Sequence, residues 1–364
     1  MEWSYKSNTN KSTGYEDVMD KISSVTHEKF MEMNDDEKDK AIDYIFNIIR
    51  EKNIFPIYYF NHDGIIEEIL KCVNKDVELK DNLLNEKSLC GQYLCNFLFP
   101  NLHQVNCKND KNNSMYDRFF DNHKLKRTIK FVLTYETIKN SYSGIYRSAR
   151  LIGGNVATNF YPMKAKALYE KYCPKNGIVY DFACGFGGRM LGCLTSKNNY
   201  RYYGVDPCIE TYENLNKLGK YIEEATGRNN IFKVYCKGSE EYCCKENYCD
   251  FAFSSPPYFS LEKYSNEDTQ CYNKYPNICD WFKGYVEPTI KNIYTMLKPN
   301  CYYAVNIADF NLGNKRVEYV NKWIEISEQI GFKYVETVSM KVETRKGYGH
   351  NGDKQEGIFV FKKS

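Results

Sequence analysis

From about residue 175 onward, short apolar segments of strand length alternate with amphipathic segments of helical period. The strand-like segments are rich in Val, Ile, Tyr and Phe, and Gly, Asp or Asn marks the turns between them. They lie at 178–180, 202–205, 231–235, 250–253 and 302–307. Alternation of this length predicts an α/β fold, in which helices cover both faces of a mostly parallel sheet. Two final β-rich runs, 334–342 and 358–361, predict an antiparallel hairpin at the sheet edge.

The part of the chain before this region has a different texture. Residues 1–35 are polar with little apolar periodicity, which predicts a loose tail or short helices. Residues 36–150 predict a mainly helical region without a repeat or a recognisable motif. Its clearest helix has an apolar face formed by Ala41, Tyr44, Ile45, Ile48 and Ile49. A chain of 364 residues has room for two ordinary domains, and we assign residues 151–364 to the second.

Composition excludes several classes of protein. The net charge of +3 is too small to indicate nucleic-acid binding by itself, so any basic surface must be local. The chain has no run of about 18 apolar residues and no basic-then-apolar leader, so we expect a cytoplasmic protein without a membrane segment. Its 15 cysteines are an odd number in a chain that is not small, which favours reduced, buried thiols over disulfides.

A Gly-rich segment follows the first predicted strand. It reads Asp181-Phe182-Ala183-Cys184-Gly185-Phe186-Gly187-Gly188-Arg189. Its glycines let backbone N–H groups approach a ligand closely, and the helix that follows adds the positive end of its dipole. Such a turn suits a dinucleotide phosphate or an adenosyl amino acid, but the G-x-G-x-x-G spacing of dinucleotide folds is absent. A tight turn packed for its own sake is the structural alternative.

Asp206 ends the second predicted strand, about 20 residues after the Gly-rich segment. A carboxylate at this position can hold both hydroxyls of a ribose. By itself Asp206 would be an ordinary loop acid. In combination with the Gly-rich segment, it predicts a nucleoside site at the carboxyl end of the sheet.

The tetrapeptide Ser255-Pro256-Pro257-Tyr258 follows the strand that ends at Phe253. The two prolines fix φ and have no N–H, so the turn is stiff and its carbonyls can accept hydrogen bonds from an –NH2 group. Tyr258 offers an aromatic face on which a base can stack. The pattern is typical of enzymes that methylate an exocyclic amine on a planar ring. A rigid turn without a chemical role is the alternative.

These segments together resemble the class I AdoMet-dependent methyltransferases, and among them the amino-methyltransferases of DNA. The resemblance covers roughly residues 155–364. Residues 181–188 are similar to motif I, the AdoMet loop, and 255–258 to the catalytic motif IV. Residues 159–164 and the helix after them resemble motif X, which flanks the methionine end of AdoMet. The last strand, 356–361, also resembles that of the family. The resemblance implies a Rossmann-like fold with a seven-stranded, mostly parallel sheet, and S-adenosyl-L-methionine (AdoMet) as cofactor.

The resemblance also implies a set of site residues. Gly238-Ser239-Glu240 lies where the family contacts the adenine, although Asp is commoner there than Ser239. The cofactor-binding residues implied are Lys164, Asp181, Ala183, Gly185, Gly187, Gly188, Asp206 and Ser239. The catalytic residues implied are Ser255, Pro256, Pro257 and Tyr258.

The implied reaction is methyl transfer to an exocyclic amine of a DNA base. Acceptors at Ser255 and the Pro256 carbonyl would direct the amine lone pair at the methyl group, and Tyr258 would stack on a flipped base. Ser at the first motif IV position favours cytosine N4 slightly over adenine N6. Two alternatives stay open, an RNA base amino-methyltransferase and a non-catalytic AdoMet-binding nucleic-acid module. Transfer to nitrogen needs no cysteine nucleophile, so Cys184 is interpreted as a packing residue.

The position of a target-recognition region follows from the available space. Only 66 residues lie between Gly188 and Ser255, too few for a target-recognition domain. The region 36–150 is therefore the candidate. A helical scaffold or an oligomer contact is the alternative for this region, and the oligomeric state does not follow from the sequence.

Weaker patterns concern metal and nucleic acid. The ligand types of a zinc site occur at Cys90, Cys95, His103 and Cys107. Their spacing is not that of a zinc knuckle or finger, and we expect no metal. A basic cluster could track a phosphate backbone, although a solvated helix face explains its first four members equally well. The cluster comprises Lys124, Lys126, Arg127, Lys130, Arg147 and Arg150. The segment 341–350 mixes basic, Gly and aromatic residues, and is either a nucleic-acid contact or a plain hairpin connection.

Overall fold

The computed structural model describes residues 5–107, 113–136, 141, 144–146, 148–149, 156–342 and 354–364. Several positions of the predicted nucleic-acid contacts therefore lie outside the described residues. These are Arg147, Arg150 and the stretch 343–350. Within the described parts of the chain, no helix is long and apolar enough to cross a membrane.

The secondary structure is bounded as follows. The α-helices of the described residues are α1 (Met19–Ser23), α2 (His27–Glu32), α3 (Asp35–Lys52), α4 (His62–Asn74), α5 (Gln92–Leu98), α6 (Met115–Phe120), α7 (Asn122–Thr134), α8 (Pro162–Tyr172), α9 (Gly188–Leu194), α10 (Ile209–Thr226), α11 (Cys271–Lys274), α12 (Ile278–Trp281), α13 (Glu287–Met296) and α14 (Tyr319–Ile330). The strands are β1 (Lys11–Ser12), β2 (Tyr59–Phe60), β3 (Leu83–Leu84), β4 (Asn106–Cys107), β5 (Ile178–Asp181), β6 (Arg201–Val205), β7 (Phe232–Tyr235), β8 (Cys249–Ser254), β9 (Glu262–Lys263), β10 (Leu297–Asn306), β11 (Phe310–Leu312), β12 (Lys315–Val317), β13 (Phe332–Val342) and β14 (Lys354–Lys363).

The chain divides into two compact units. Unit 1 comprises Met1–Glu67, Asn96–Thr158 and Glu262–Tyr264. Unit 2 comprises Glu68–Cys95, Asn159–Leu261 and Ser265–Ser364. In this division residues 156–158 belong to unit 1, and the segment 68–95 of the expected helical region belongs to unit 2.

Unit 1 is mainly helical, and α3 shows why. Asn34 caps its N-terminus, since its Oδ1 accepts from Glu37 N at 3.0 Å while Glu37 Oε2 accepts from Asn34 N at 2.9 Å. Asn53 ends the helix in the left-handed conformation, with φ 48°. The predicted apolar face is buried, except that Tyr44 lies on the exposed side.

The segment expected to be a polar tail packs into unit 1. Tyr15 and Ile22 are completely buried there. The Tyr15 hydroxyl donates to Ile54 O at 3.0 Å, which ties the segment to the residues after α3. A few well-spaced apolar side chains are enough to dock short helices onto a neighbouring core, although they produce little periodicity in the sequence.

Unit 2 contains the predicted parallel sheet. Its strand order is β3-β13-β14-β10-β8-β5-β6-β7, and β14 alone runs antiparallel to its two neighbours. The predicted α/β fold with seven mostly parallel strands is confirmed, and the two-residue strand β3 extends the sheet to eight. Helices α8, α9 and α10 connect or flank the central strands.

The C-terminal hairpin differs in position from its prediction. Strands β13 and β14 do pair antiparallel, but β14 lies inside the sheet, between β10 and β13. Ile358 and Phe361, on opposite faces of β14, are both fully buried. A strand that is apolar on both faces favours an interior position.

The helical segment that precedes β10 is divided into two helices. A π-helical turn at Phe282–Val286 separates α12 from α13. Pro288 stands in the first turn of α13, and because proline has no N–H it cannot donate the helical hydrogen bond to residue 284.

The sheet topology determines where a site can form. Strand β5 has β6 on one side and β8 on the other, so the order along the sheet reverses at β5. The loops after these parallel strands leave the sheet at the same edge, which is where open α/β sheets bind ligands.

Candidate functional site

The loop between β5 and α9 carries two glycines in the left-handed conformation. Gly185 has φ 56° and Gly187 has φ 77°, values that residues with a Cβ rarely adopt. A Cβ at Gly185 would have its nearest heavy-atom neighbours, Ala183 O and Arg189 Nη2, at 3.9 Å. The loop therefore leaves space beside Gly185.

The carboxylate of Asp181 lies under this loop and is fully buried. Oδ1 accepts from Ser254 Oγ at 2.8 Å and from Ala183 N at 3.2 Å. Oδ2 accepts from Arg189 Nε at 2.8 Å and from Tyr202 OH at 2.8 Å. Four donors use the acceptor capacity of a carboxylate, so Asp181 fixes the loop and the strands around it.

Arg189 is the buried counter-ion of Asp181. Its guanidinium forms an ion pair with that carboxylate, and Nη2 also donates to the Ala183 carbonyl. Burial lowers the pKa of Arg189, but the adjacent Asp181 carboxylate outweighs that effect and raises it. The Ala183 carbonyl is further bound by Ser254 Oγ at 3.1 Å. Both the backbone N–H and the backbone carbonyl of Ala183 are thus hydrogen-bonded within the protein. Its implied role in cofactor binding stays a prediction.

Asp206 follows β6 and reaches across to the Gly-rich loop. Its Oδ2 accepts from Gly185 N at 2.9 Å, and its Oδ1 accepts from Cys208 N at 3.1 Å. Burial raises the pKa of Asp206 to about 7, although the two backbone N–H groups act in the opposite direction. Each oxygen with one such bond retains acceptor capacity for a second. The Asp206 carboxylate is therefore held in a fixed position, and each of its oxygens can accept one more hydrogen bond.

The residues 159–164 contact the end of the same loop. Asn159 Nδ2 donates to Phe186 O at 2.7 Å. A Cβ on Gly188 would lie 2.0 Å from Phe160 O, so the absence of a side chain allows this backbone to approach the first residue of α9. Lys164 is buried, and its ammonium lies 4.9 Å from the centroid of the Tyr161 ring.

Ser239 and Glu240 follow β7 in a short 3-10 turn. The Ser239 hydroxyl is buried and lies 2.8 Å from Thr289 Oγ1, so it contacts α13. Glu240 Oε1 accepts from Lys274 Nζ at 3.0 Å, whereas Oε2 is buried without a hydrogen-bond partner among the described residues. Burial raises the pKa of Glu240. The sequence motif alone did not identify Glu240 as a site residue. A buried glutamate side chain is unusual in a folded protein.

The tetrapeptide 255–258 begins where β8 ends. Ser254, the residue just before it, donates its hydroxyl hydrogen bond to Asp181 Oδ1. Ser255 Oγ donates to Asn306 Oδ1 at 3.4 Å. Asn306 stands at the end of β10, and its Nδ2 donates to Gly357 O at 3.0 Å. These bonds orient the Ser255 hydroxyl, and Asn306 is a residue that the motif alone did not identify.

Aromatic residues surround Tyr258, which is half-buried. Its ring meets Phe310 and Tyr319 edge to face, with centroids 6.0 and 5.9 Å apart. Tyr319 OH also donates to Pro257 O at 3.4 Å, which stiffens the turn further. Phe259 is buried against Trp281 at 5.7 Å between centroids. Phe259 is therefore a core residue rather than part of a base pocket.

The described residues offer no clear metal site. Among them, no group of three or more His, Cys, Asp or Glu side chains is placed to hold an ion. His103, one of the candidate ligands, has Nε2 3.0 Å from Asn96 O within unit 1.

No family model and no curated protein matches this sequence. Solved structures give distant matches. A SAM-dependent methyltransferase from Methanosarcina mazei is 14% identical, with 56% of this chain and 98% of that chain covered and a TM-score of 0.36. A TehB-like SAM-dependent methyltransferase from Corynebacterium glutamicum is 17% identical, with 61% and 96% covered and a TM-score of 0.34. A methyltransferase from Pyrococcus furiosus is 14% identical, with 58% and 90% covered and a TM-score of 0.37. Similarities this low transfer neither substrate nor cofactor, and the fold assignment rests on the strand order of the sheet.

The contact at Gly188 gives a stability prediction. Gly188→Ala should lower the free energy of unfolding by about 3 kcal/mol, because the new Cβ meets the Phe160 carbonyl in a closely packed turn. Gly227→Ala is the matched control. It introduces a Cβ at φ 66° in open space and should cost about 1 kcal/mol. Urea unfolding of both variants measures the difference, and equal losses would contradict the close approach.

Asp206 gives a prediction about pH. A carboxyl group whose pKa is raised by folding stabilises the folded chain at low pH, and this contribution is lost as pH rises through the folded pKa of about 7. The wild type should therefore lose up to about 4 kcal/mol between about pH 4 and pH 8 relative to Asp206→Asn, which does not titrate. Parallel stability curves for the two proteins across this range would show that the pKa of Asp206 is not raised.

Proposed function

We propose that unit 2 is an AdoMet-dependent methyltransferase that modifies an exocyclic amine of a DNA base. The observation that carries the proposal is the 2.8 Å hydrogen bond from Ser254 Oγ to Asp181 Oδ1. It joins the strand end that precedes the Ser-Pro-Pro-Tyr turn to the carboxylate beneath the Gly-rich loop. A nucleoside pocket and a cradle for an amine are thereby held side by side, which a methyl transfer between two bound molecules requires.

The residues around Asp206 fit the adenosyl part of AdoMet. A ribose presents two neighbouring hydroxyl donors, and each Asp206 oxygen has acceptor capacity beyond its one backbone bond. Gly185, whose N–H donates to that carboxylate, is not crowded on its own outer side, since a Cβ there would meet no heavy atom nearer than 3.9 Å. Ser239 would contribute to the adenine contact through its backbone N–H, because its hydroxyl is engaged with Thr289 and its carbonyl accepts from Asn292 Nδ2 at 2.9 Å.

The start of α9 favours an adenosyl amino acid over a dinucleotide. Dinucleotide folds place the pyrophosphate at the N-terminus of the helix that follows the Gly-rich turn. Here the Phe160 carbonyl faces Gly188, the first residue of that helix. A carbonyl oxygen repels phosphate oxygens but accepts from an ammonium group, and the methionine end of AdoMet carries one.

When bound, AdoMet supplies an electrophilic methyl group on a sulfonium. The chain's own contribution begins at Ser255, whose hydroxyl donates to Asn306 Oδ1 and so turns its lone pairs away from that amide. Those lone pairs, together with the Pro256 carbonyl, would accept the N–H groups of the target amine. The amine lone pair is then aimed at the methyl group, and positioning of this kind supplies much of the acceleration. As the new N–C bond forms, the bond between sulfur and the methyl group would break with its electron pair going to sulfur, and the proton that the amine loses would pass to bulk water.

Tyr258 would hold the target base by stacking. Its edge contacts with Phe310 and Tyr319 fix the ring, and the residue is half-buried, so part of it is exposed. A base in duplex DNA must leave the helix to reach this position. Ser255 in place of Asp favours cytosine N4 slightly over adenine N6. An RNA base is the alternative substrate, because single-stranded bases suit the same stacking.

Unit 1 is the proposed target-recognition region. Along α7, Arg127 and Lys130 are exposed one turn apart, which suits contacts to phosphates. Lys126 is less available, because it forms a 2.6 Å ion pair with Asp43 and lies over the Phe46 ring.

Labelled AdoMet tests the function directly. Incubation of the full chain with duplex DNA or with total RNA should label the DNA. Label in the RNA alone would replace DNA by RNA as substrate. AdoMet binding without label in either would favour the non-catalytic nucleic-acid module. Nucleoside analysis of labelled DNA then distinguishes N4-methylcytosine from N6-methyladenine.

Tyr258 gives the sharpest test of the mechanism. Tyr258→Ala should lower kcat/KM about 10- to 100-fold, because stacking of one base contributes about 1–3 kcal/mol. Tyr258→Phe keeps the ring and should stay within about threefold of the wild type. AdoMet affinity, measured by calorimetry, should be unchanged in both variants and weakened instead in Asp206→Asn. Full activity of Tyr258→Ala would rule out stacking on Tyr258.

A further inference from the structure

Two cysteine thiols of unit 2 lie in contact. Cys72 is in the last turn of α4, and Cys90 precedes α5. Their Sγ atoms are 3.2 Å apart, a thiol–thiol hydrogen-bond contact. A disulfide has an S–S distance of about 2.05 Å, so an approach of about 1 Å would join them. Both residues are free cysteines in the structure.

The two sulfurs differ in access. Cys72 is completely buried, whereas Cys90 is partly exposed. The hydrogen bond between them lowers the pKa of Cys90 and raises the pKa of Cys72. Cys90 is thus the thiol that a reagent from solvent can meet, and the one that more readily forms the reactive thiolate. Cys72 stands directly behind it.

The backbone around the pair is held in place. Lys166 Nζ donates to three carbonyls at the end of α4, Cys72 O at 2.9 Å, Val73 O at 3.2 Å and Lys75 O at 2.7 Å. On the other side, Gly91 N donates to Glu68 Oε1 of α4 at 3.1 Å. The segments that carry the sulfurs are therefore tied to each other and to α8 by bonds that do not involve sulfur.

Gly91 also connects the pair to the helices that flank the Gly-rich loop. A Cβ at Gly91 would lie 2.5 Å from Leu191 Cδ2 of α9, 2.9 Å from Cys72 Sγ and 3.4 Å from Pro162 Cγ of α8. With φ 76° and no side chain, Gly91 allows Cys90 to approach this junction.

We propose that Cys72 and Cys90 are a modification site that forms a reversible disulfide by exchange with a small-molecule disulfide, such as oxidised glutathione. The Cys90 thiolate attacks one glutathione sulfur, forms a mixed disulfide and expels the other glutathione as a thiolate. The Cys72 thiol then loses its proton and attacks the Cys90 sulfur, which expels the second glutathione. The two protein thiols lose two electrons, and the glutathione disulfide is reduced to two thiols.

The crosslink would join residues 18 positions apart. It would restrict the unfolded chain and bind the last turn of α4 to the segment that packs on α8 and α9. We therefore expect the oxidised protein to unfold at a higher temperature than the reduced protein.

Redox titration of the full chain tests the site. The protein is equilibrated with reduced and oxidised glutathione at several ratios, quenched with acid, alkylated and digested for peptide mass spectrometry. The expected product is one intramolecular link between the Cys72 and Cys90 peptides, reversed by dithiothreitol, with Tm raised by about 5 °C. A Cys90 link to Cys95, a stable glutathione adduct on wild-type Cys90, or an unchanged Tm would each overturn the proposal.

Variants separate the two steps. Cys72→Ser should stop the reaction at a glutathione adduct on Cys90, because the resolving thiol is gone. Cys90→Ser should leave Cys72 unmodified, because its sulfur is buried. Cys279→Ser, which removes an exposed cysteine elsewhere in unit 2, should form the link as the wild type does. Loss of the link in Cys279→Ser, or an adduct on Cys72 in Cys90→Ser, would contradict the assigned order.

Discussion

The carboxylate of Asp181 is the interaction on which the edge of the sheet depends. It accepts from Ser254 at the end of β8, from Tyr202 of β6, from Arg189 of α9 and from the loop itself. A buried charge costs several kcal/mol unless it is paired and hydrogen-bonded. Loss of any of these donors would therefore destabilise the fold, and the four hydrogen bonds hold two strands, a helix and a loop at one point.

The sequence predicted the parts of the structure that depend on local order. The spacing of apolar residues predicted the helices and strands of unit 2, and Gly and Pro marked the turns at which the site forms. The position of β14 inside the sheet did not follow, because strand pairing depends on contacts between distant residues. The same holds for segment 68–95, whose helical pattern does not reveal which core it joins.

The candidate site shows the same division between local and distant information. Motif spacing located Asp206, the Gly-rich loop and the Ser255 turn, since each follows a predicted strand. It did not reveal that the Ser239 hydroxyl bonds to Thr289 or that Ser255 bonds to Asn306, partners 50 and 51 residues away. The pairing of Ser255 with Asn306 arises because the parallel strands β8 and β10 bring their ends to one edge, whereas that of Ser239 with Thr289 joins the turn after β7 to helix α13. Nothing in the local sequence specifies either pairing.

The two buried acids of the site, Asp181 and Asp206, differ in the number of hydrogen bonds that each accepts from the protein. The Asp181 carboxylate receives four hydrogen bonds, so a ligand could bind it only by displacing one of the protein's own donors. Asp206 is also buried but receives a backbone bond on each oxygen, and burial raises its pKa to about 7. Two hydroxyl donors would supply what that carboxylate lacks and favour its ionised form. Asp181 thus has a structural role, whereas Asp206 can still accept hydrogen bonds from a ligand. The proposed nucleoside site requires an acid of the second kind.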